Sequence, residues 1–326
     1  MPHKITSTLF LFALLLTACT QPNPTPVAVM PEPTLAPTTL PTDVPAPAPL
    51  VITDARGKTF EFTQAAQKII SLAPSNTEIL FAVGAGKQVV GRDAFSDYPA
   101  EAQSLPDVGG GFSPLNTEVI LAAQPDLVLA GELTPSEQIQ SIEDLGLTVF
   151  VLGNPSTLAE MYENLRLVAQ ITGHEQETEA LVASLQAREQ AINEKLATVT
   201  ERPLVLYELD GTDSNAPWIP GPGTFIDTLI TQAGGENLGA SMDGAWVQVS
   251  LEVLLEKDPA LVILGDYTWG GVTPEMVAAR SGWDALTAVQ QGKVYPIDDN
   301  MVSRPGPRML DGLETLAKLI HPELFE

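Results

Sequence analysis

Cysteine occurs once in the 326 residues, at Cys19. A single thiol permits no intramolecular disulfide and no thiolate metal site. Cations are scarce as well: 16 Lys and Arg stand against 41 Asp and Glu, for a formal net charge of −25. Phosphate contacts need Lys and Arg, so this balance argues against nucleic acid as a partner. It fits a soluble body toward which a positively charged docking partner is steered. No nucleophile elbow, phosphate loop or zinc motif is present. Beyond the first twenty residues, no apolar run is long enough to span a bilayer.

What is there begins with a leader. Met1–Thr8 is short and weakly basic through Lys4, Leu9–Leu16 is apolar, and Leu16-Thr-Ala-Cys19 follows. The apolar run is too short for a transmembrane helix and has the layout of a secretory signal. Leu-Thr-Ala-Cys resembles a bacterial lipobox, which implies Cys19 as the lipidated first residue of a mature chain held at the outer face of the cell membrane. Ordinary signal cleavage beside an incidental cysteine is the alternative. Thr20–Pro49 then changes to Pro, Thr, Ala and Val, with only Glu32 and Asp43 charged. Such a segment buries no core and reads as an extended, partly polyproline tether.

The body contains one stretch twice. Phe112-Ser-Pro-Leu-Asn-Thr-Glu118 leads into an apolar run, Pro125, and Leu127-Val-Leu-Ala-Gly131. Trp246-Val-Gln-Val-Ser-Leu-Glu252 leads into the same sequence of features, with Pro259 and Leu261-Val-Ile-Leu-Gly265. Asn116 and Ser250 are good N-caps, so each glutamate falls in a helix first turn, where the dipole favours it. The prolines stop the helices, and the runs after them read as interior strands of a parallel sheet. Strands and helices alternate throughout, which predicts doubly wound α/β architecture. Ser75-Asn-Thr-Glu78 and Thr157-Leu-Ala-Glu160 read as capping boxes. Asp210–Gly223, containing Trp218, and Asp266–Gly271, containing Tyr267 and Trp269, read as loops. Glu175–Val199 has no Gly or Pro and carries a stripe of Leu181, Leu185, Ile192 and Leu196 interrupted by Arg188. These features predict two doubly wound parallel-sheet lobes bridged by one long helix. The segments are a signal over residues 1–18, a tether over 19–49, an N-terminal lobe over 50–173, the connecting helix over 174–199 and a C-terminal lobe over 200–326.

Ala73-Pro-Ser-Asn-Thr-Glu-Ile-Leu-Phe-Ala-Val-Gly84, Phe95-Ser-Asp-Tyr-Pro99, the twin repeats and the Arg304–Arg308 loop resemble the substrate-binding proteins of ABC importers for cobalamin, ferric siderophores and haem. The likeness spans roughly residues 50–323 and is nearest to the cobalamin binders. It implies a monomeric receptor that holds a bulky metal chelate between its lobes as transported cargo, with no cofactor and no catalysis. It implies further that Glu118 and Glu252 dock onto arginines of a membrane permease. Phe95, Phe112, Trp218, Trp246 and Arg304 match pocket positions of that family, and Tyr267 and Trp269 occupy another loop of the expected kind. Broad aromatic surfaces suit a wide, flat ligand. Arg304 could serve a siderophore carboxylate, a haem propionate or a cobalamin amide alike. Two departures bear on the ligand: Gly131-Glu132 stands where the cobalamin binders carry an aromatic, and Ser303 stands where they carry an acid. Haem would need an axial ligand, for which Tyr267 is the candidate. Bare zinc or manganese binders of the superfamily use several histidines, whereas His3, His174 and His321 are scattered here.

Two other functions are weighed on the residues alone. Glu118 and Glu252 as an acid/base pair across a cleft would make a carboxylate-pair hydrolase. Both sit in copies of one repeat, however, whereas acid and base need different environments. A surface adhesion module would use the same fold without transport.

Overall fold

The computed structural model describes residues 48–111 and 113–325, which leaves the leader, Cys19, the tether and Phe112 outside the described residues. From Ala48 onward the chain is one compact unit. A hairpin opens it: β1 (Leu50–Thr53) pairs antiparallel with β2 (Thr59–Phe62). The Asp54 carboxylate closes the turn by accepting the N–H groups of Arg56 and Lys58.

The first lobe is built on β3 (Ile69–Ser71), β4 (Val89–Arg92), β5 (Leu127–Gly131) and β6 (Val149–Leu152), in the order β4-β3-β5-β6 and parallel throughout. Its helices are α1 (Pro74–Ala82), α2 (Thr117–Ala123), α3 (Ser136–Glu143) and α4 (Leu158–Thr172). Then α5 (Glu175–Leu196) crosses to the second lobe. There β7 (Leu204–Glu208), β9 (Glu236–Asn237), β11 (Leu261–Leu264) and β12 (Val294–Pro296) form the second parallel sheet, in the order β9-β7-β11-β12. A two-stranded ribbon of β8 (Trp218–Pro220) and β10 (Trp246–Gln248) flanks it. The helices α6 (Phe225–Gln232), α7 (Leu251–Lys257) and α8 (Tyr267–Gly270) come before the C-terminal helix, Met309–Ile320. The two sheets have the same strand order, and the two copies of the repeat supply equivalent parts, α2 with β5 and α7 with β11.

The likeness of the repeats extends to the backbone. Asn116 Oδ1 accepts the Val119 N–H, and Ser250 Oγ accepts the Val253 N–H. Among the described residues, the two non-glycine residues at positive φ are Gln124 (49°) and Asp258 (44°), each the C-cap immediately before the repeat's proline. A left-handed residue ends a helix, and proline cannot continue it. Strands β5 and β11 then enter the sheets, buried from Leu127 to Ala130 and from Leu261 to Leu264.

Helix α5 belongs to both lobes. It packs on α4 and on the C-terminal helix. Its buried face is Thr178, Val182, Leu185, Ile192 and Leu196, with Leu181 only half-buried at the margin. One carboxylate ties the lobes through it: Glu189 accepts the Tyr162 hydroxyl at 2.9 Å and the Gln232 amide at 2.8 Å. Arg188, which interrupts the stripe, donates to Asp311 and Glu314 of the C-terminal helix. The apolar core runs continuously from Ile69 and Leu129 through Leu185 and Ile192 to Tyr207 and Leu313. A core shared in this way leaves little freedom for the lobes to swing apart.

Three local expectations change. The Ser75–Glu78 capping box does not form, because α1 begins two residues earlier than that box requires, with Pro74 in its first turn and Ala73 as N-cap. Glu78 is instead buried and bound by Arg308. Asp266–Gly271 holds a short helix rather than a loop. Trp218 lies on β8 rather than in a loop, and Trp246 lies on its ribbon partner β10. The Thr157 box does form, with Thr157 Oγ1 accepting the Glu160 N–H, while the Glu160 carboxylate reaches back to the Ser156 N–H.

Candidate functional site

Open parallel sheets bind ligands beyond the carboxyl ends of their strands, at the point where strand order reverses. In the first sheet that point lies between β3 and β5. A cavity of about 520 Å3 opens there, walled by the segments that follow β3, β5 and β6 and, from the second lobe, by Leu209, Phe225, Ile226, Trp246 and Ser303–Pro305. The first lobe therefore supplies most of the floor, and the second closes it.

Of the aromatics expected to meet ligand, Phe95 and Trp246 line this cavity. They come from opposite lobes, and each is about half exposed, at 46% and 47%. Phe95 lies over Gly111, whose φ of +62° suits glycine; a Cβ there would come within 2.8 Å of the Phe95 ring. Trp246 is braced edge-on by Phe225, with ring centroids 6.2 Å apart. Phe225 is a wall residue that the sequence did not single out; its signal was its place directly after the Thr224 N-cap at the end of the Trp218 loop. The ribbon register pairs Trp246 with Pro220 and Trp218 with Gln248, so both indoles share one ribbon face. Trp218, Tyr267 and Trp269 lie outside the cavity lining and are exposed. Leu133, 81% exposed, stands at the rim just after the Gly131-Glu132 departure.

Arg304 also lines the cavity, and its guanidinium is engaged by the Asp97 carboxylate. Behind it, Arg308 holds Glu78 with two hydrogen bonds, at 2.9 and 2.5 Å, and lies over the Tyr98 ring at 4.1 Å. Burial pushes the Glu78 carboxyl up from its ordinary range, while the Arg308 hydrogen bond and charge pull it back.

A second buried cluster underlies the α8 turn that carries Tyr267 and Trp269. Arg280 clasps Glu208 through two hydrogen bonds at 2.6 and 2.8 Å, and Asp266 accepts the Gly211 N–H at 2.9 Å. Burial, with the Glu208 carboxylate beside it, pushes the Asp266 carboxyl up to about 7. A proton on Asp266 supplies the hydrogen that two facing carboxyl groups otherwise lack. The native state thus holds a proton that the unfolded chain, with an Asp near 3.8, releases. This contribution is full below pH 3.8, declines as pH rises and is gone above about 7. The melting temperature is expected to fall between pH 5 and 8 through a loss on the order of 2–3 kcal/mol. Asp266→Asn is expected to remove most of that slope and to be the more stable protein at pH 8. Thermal melts of both proteins across this range check it; parallel slopes would sink the assignment.

Glu118 and Glu252 are exposed in the first turns of α2 and α7, and neither lines the cavity. An acid/base pair has to face the bond it cleaves, so this placement removes the basis for the hydrolase reading. Neither carboxylate forms an ion pair among the described residues.

Comparison with known proteins agrees with the fold. The periplasmic binding protein family is matched over residues 69–301. The chain belongs to that family. The uncharacterized ABC transporter substrate-binding lipoprotein YvrC of Bacillus subtilis (strain 168) is 31% identical over 281 residues, covering 85% of this chain and 87% of the relative. A cobalamin-binding protein of Halobacterium salinarum is 28% identical over 280 residues, covering 84% and 74%. Among solved structures, the periplasmic heme-binding protein RhuT from Roseiflexus sp. RS-1 superposes with a TM-score of 0.70 at 29% identity, covering 80% of this chain and all of that one. The relatives named are substrate-binding proteins of transport systems. Among the described residues, no helix is long and apolar enough to cross a membrane.

Proposed function

We propose that this chain is the extracytoplasmic receptor of an ABC importer, capturing a bulky metal chelate between its lobes and presenting it to the permease. The observation that carries the reading is the cavity at the strand ends, with Phe95 and Trp246 facing it from opposite lobes. Two aromatic faces flanking an apolar cleft suit a broad, flat cargo by stacking and burial. A corrinoid is favoured: a cobalamin binder is among the relatives, and Tyr267, the side chain that a haem iron would need, lies outside the lining. In this reading Glu118 and Glu252 meet arginines of the permease, lipid at Cys19 anchors a monomer through its tether, and the shared core keeps closure small.

The test is titration of tryptophan fluorescence with cyanocobalamin, haem and a ferric hydroxamate. Cyanocobalamin is expected to quench, and Trp246→Leu to remove most of the quenching and weaken binding about tenfold, the scale of one lost stacking aromatic. Quenching by the hydroxamate or by haem without quenching by cobalamin would overturn the corrinoid preference. Silence toward all three would overturn the chelate reading.

A further inference from the structure

Among the described residues that line the cavity, Arg304 is the only cation, and the structure surrounds it with acid. Asp97 pairs with its Nη1 directly, and Glu78 Oε1 lies 3.8 Å from the same nitrogen. Asp93 and Asp299 are near enough for the Arg304 charge to act on both carboxyl groups. Its neighbour Arg308 offers no spare charge, being closed on Glu78. Asp97 is well placed for the pairing. It sits in a short loop whose start is pinned by hydrogen bonds from the Phe95 N–H and the Ser96 hydroxyl to Asp93, and whose end is pinned by the Gln103 amide on the Asp97 carbonyl. The loop that presents Phe95 to the cavity thus presents Asp97 to Arg304.

We propose that Asp97 sets the charge class of the cargo: by pairing with Arg304 through Nη1 and neutralising the cleft's cation, it makes the cleft select neutral or cationic chelates over those with free carboxylates. A carboxylate-bearing ligand reaches Arg304 either by displacing Asp97 or by taking the N–H groups that Asp97 leaves open, and in both cases its charge stands beside the Asp97 carboxylate and near three further acids. Like charges brought together repel, and such juxtaposition disfavours the ligand that brings the second charge. An amide or hydroxamate oxygen needs only one of the guanidinium's other N–H groups, which donate to nothing among the described residues, and leaves the ion pair in place. The inference rests on the chelate reading above, and it makes Asp97 a specificity residue that no single stretch of the chain reveals.

The experiment compares matched ligands on the full-length protein by calorimetry: cyanocobalamin with the monocarboxylic acid made by hydrolysing one peripheral amide, and ferrioxamine B acetylated at its amine with the succinylated, carboxylate-bearing derivative. Wild type is expected to prefer the carboxylate-free member of the pair that it binds by at least about tenfold, the scale of one charge-assisted hydrogen bond. Asp97→Asn is expected to erase or reverse that preference, and Asp97→Ser to do the same. Glu101→Gln removes an equal charge from an exposed position close by without touching Arg304, and is expected to keep it. Equal binding by wild type, an unchanged preference in both Asp97 variants, or an equal loss in Glu101→Gln would each overturn the inference while the chelate reading stands. Failure of wild type to bind either chelate would bring down the chelate reading, and this inference with it.

Discussion

Uptake is expected to fall at least about a hundredfold when Glu118 and Glu252 are both changed to alanine, while the free protein keeps its affinity for cargo within about twofold. The size follows from the few kcal/mol that each interfacial charge pair loses on truncation. Both carboxylates are exposed, each in the first turn of a helix whose N-cap is satisfied, and both lie outside the cavity lining. In the proposed docking role, their removal subtracts a contact from each lobe and leaves the cleft untouched. The local cost to the helices is small, about 0.3–1 kcal/mol each from the lost dipole interaction. Single variants are expected to fall between, since a two-point dock retains one point. Transport assays in cells, paired with titration of the purified protein, separate the two effects. Undiminished uptake by the double variant would falsify the docking role and favour adhesion or another use of the surface. A fall in cargo affinity equal to the fall in uptake would place both residues in capture instead.

Loss of Arg308 is expected to destabilise the body by about 3–5 kcal/mol, the cost of leaving a buried carboxylate without its partner. Glu78 is 3% exposed, and its bidentate partner comes from the other lobe. Arg308→Met strands the acid in the core, whereas Glu78→Leu strands the guanidinium. The double variant, Glu78→Leu with Arg308→Met, removes both charges and is expected to recover most of the loss, since an apolar pair of similar volume needs no solvation. Denaturant unfolding of the three variants tests this. Additive single losses in the double variant would mean that the two side chains act separately and that the pair does not link the lobes.

These two predictions differ in how visible their residues were. Glu118 and Glu252 could be placed from sequence because everything that positions them is local: an N-cap two residues before, a helix of two turns, a left-handed cap and a proline. The same locality made the two-lobe plan legible, since each repeat is a complete helix–strand unit, and α5 declared itself by its unbroken length. Local pattern also misled. Ser75-Asn-Thr-Glu78 satisfies the capping-box rule, but Pro74 starts the helix early, and Glu78 is taken by an arginine 230 positions away. The Asp266–Gly271 stretch has the composition of a loop and coils into a turn of helix.

Which residues wall the cleft lay beyond the sequence. Phe95 and Trp246 face it, while Trp218, Tyr267 and Trp269, equally aromatic and equally near strand ends, do not. Which of them does depends on the course of a ribbon and the placement of one lobe on the other. Sequence determined the lobes, the bridge between them and the placement of Glu118 and Glu252 in helix first turns, because short-range hydrogen bonds and periodicity encode those. Only the tertiary structure decided the walls of the cavity and the company Arg304 keeps, because Asp97 stands 207 positions away and folding alone brings its charge into reach.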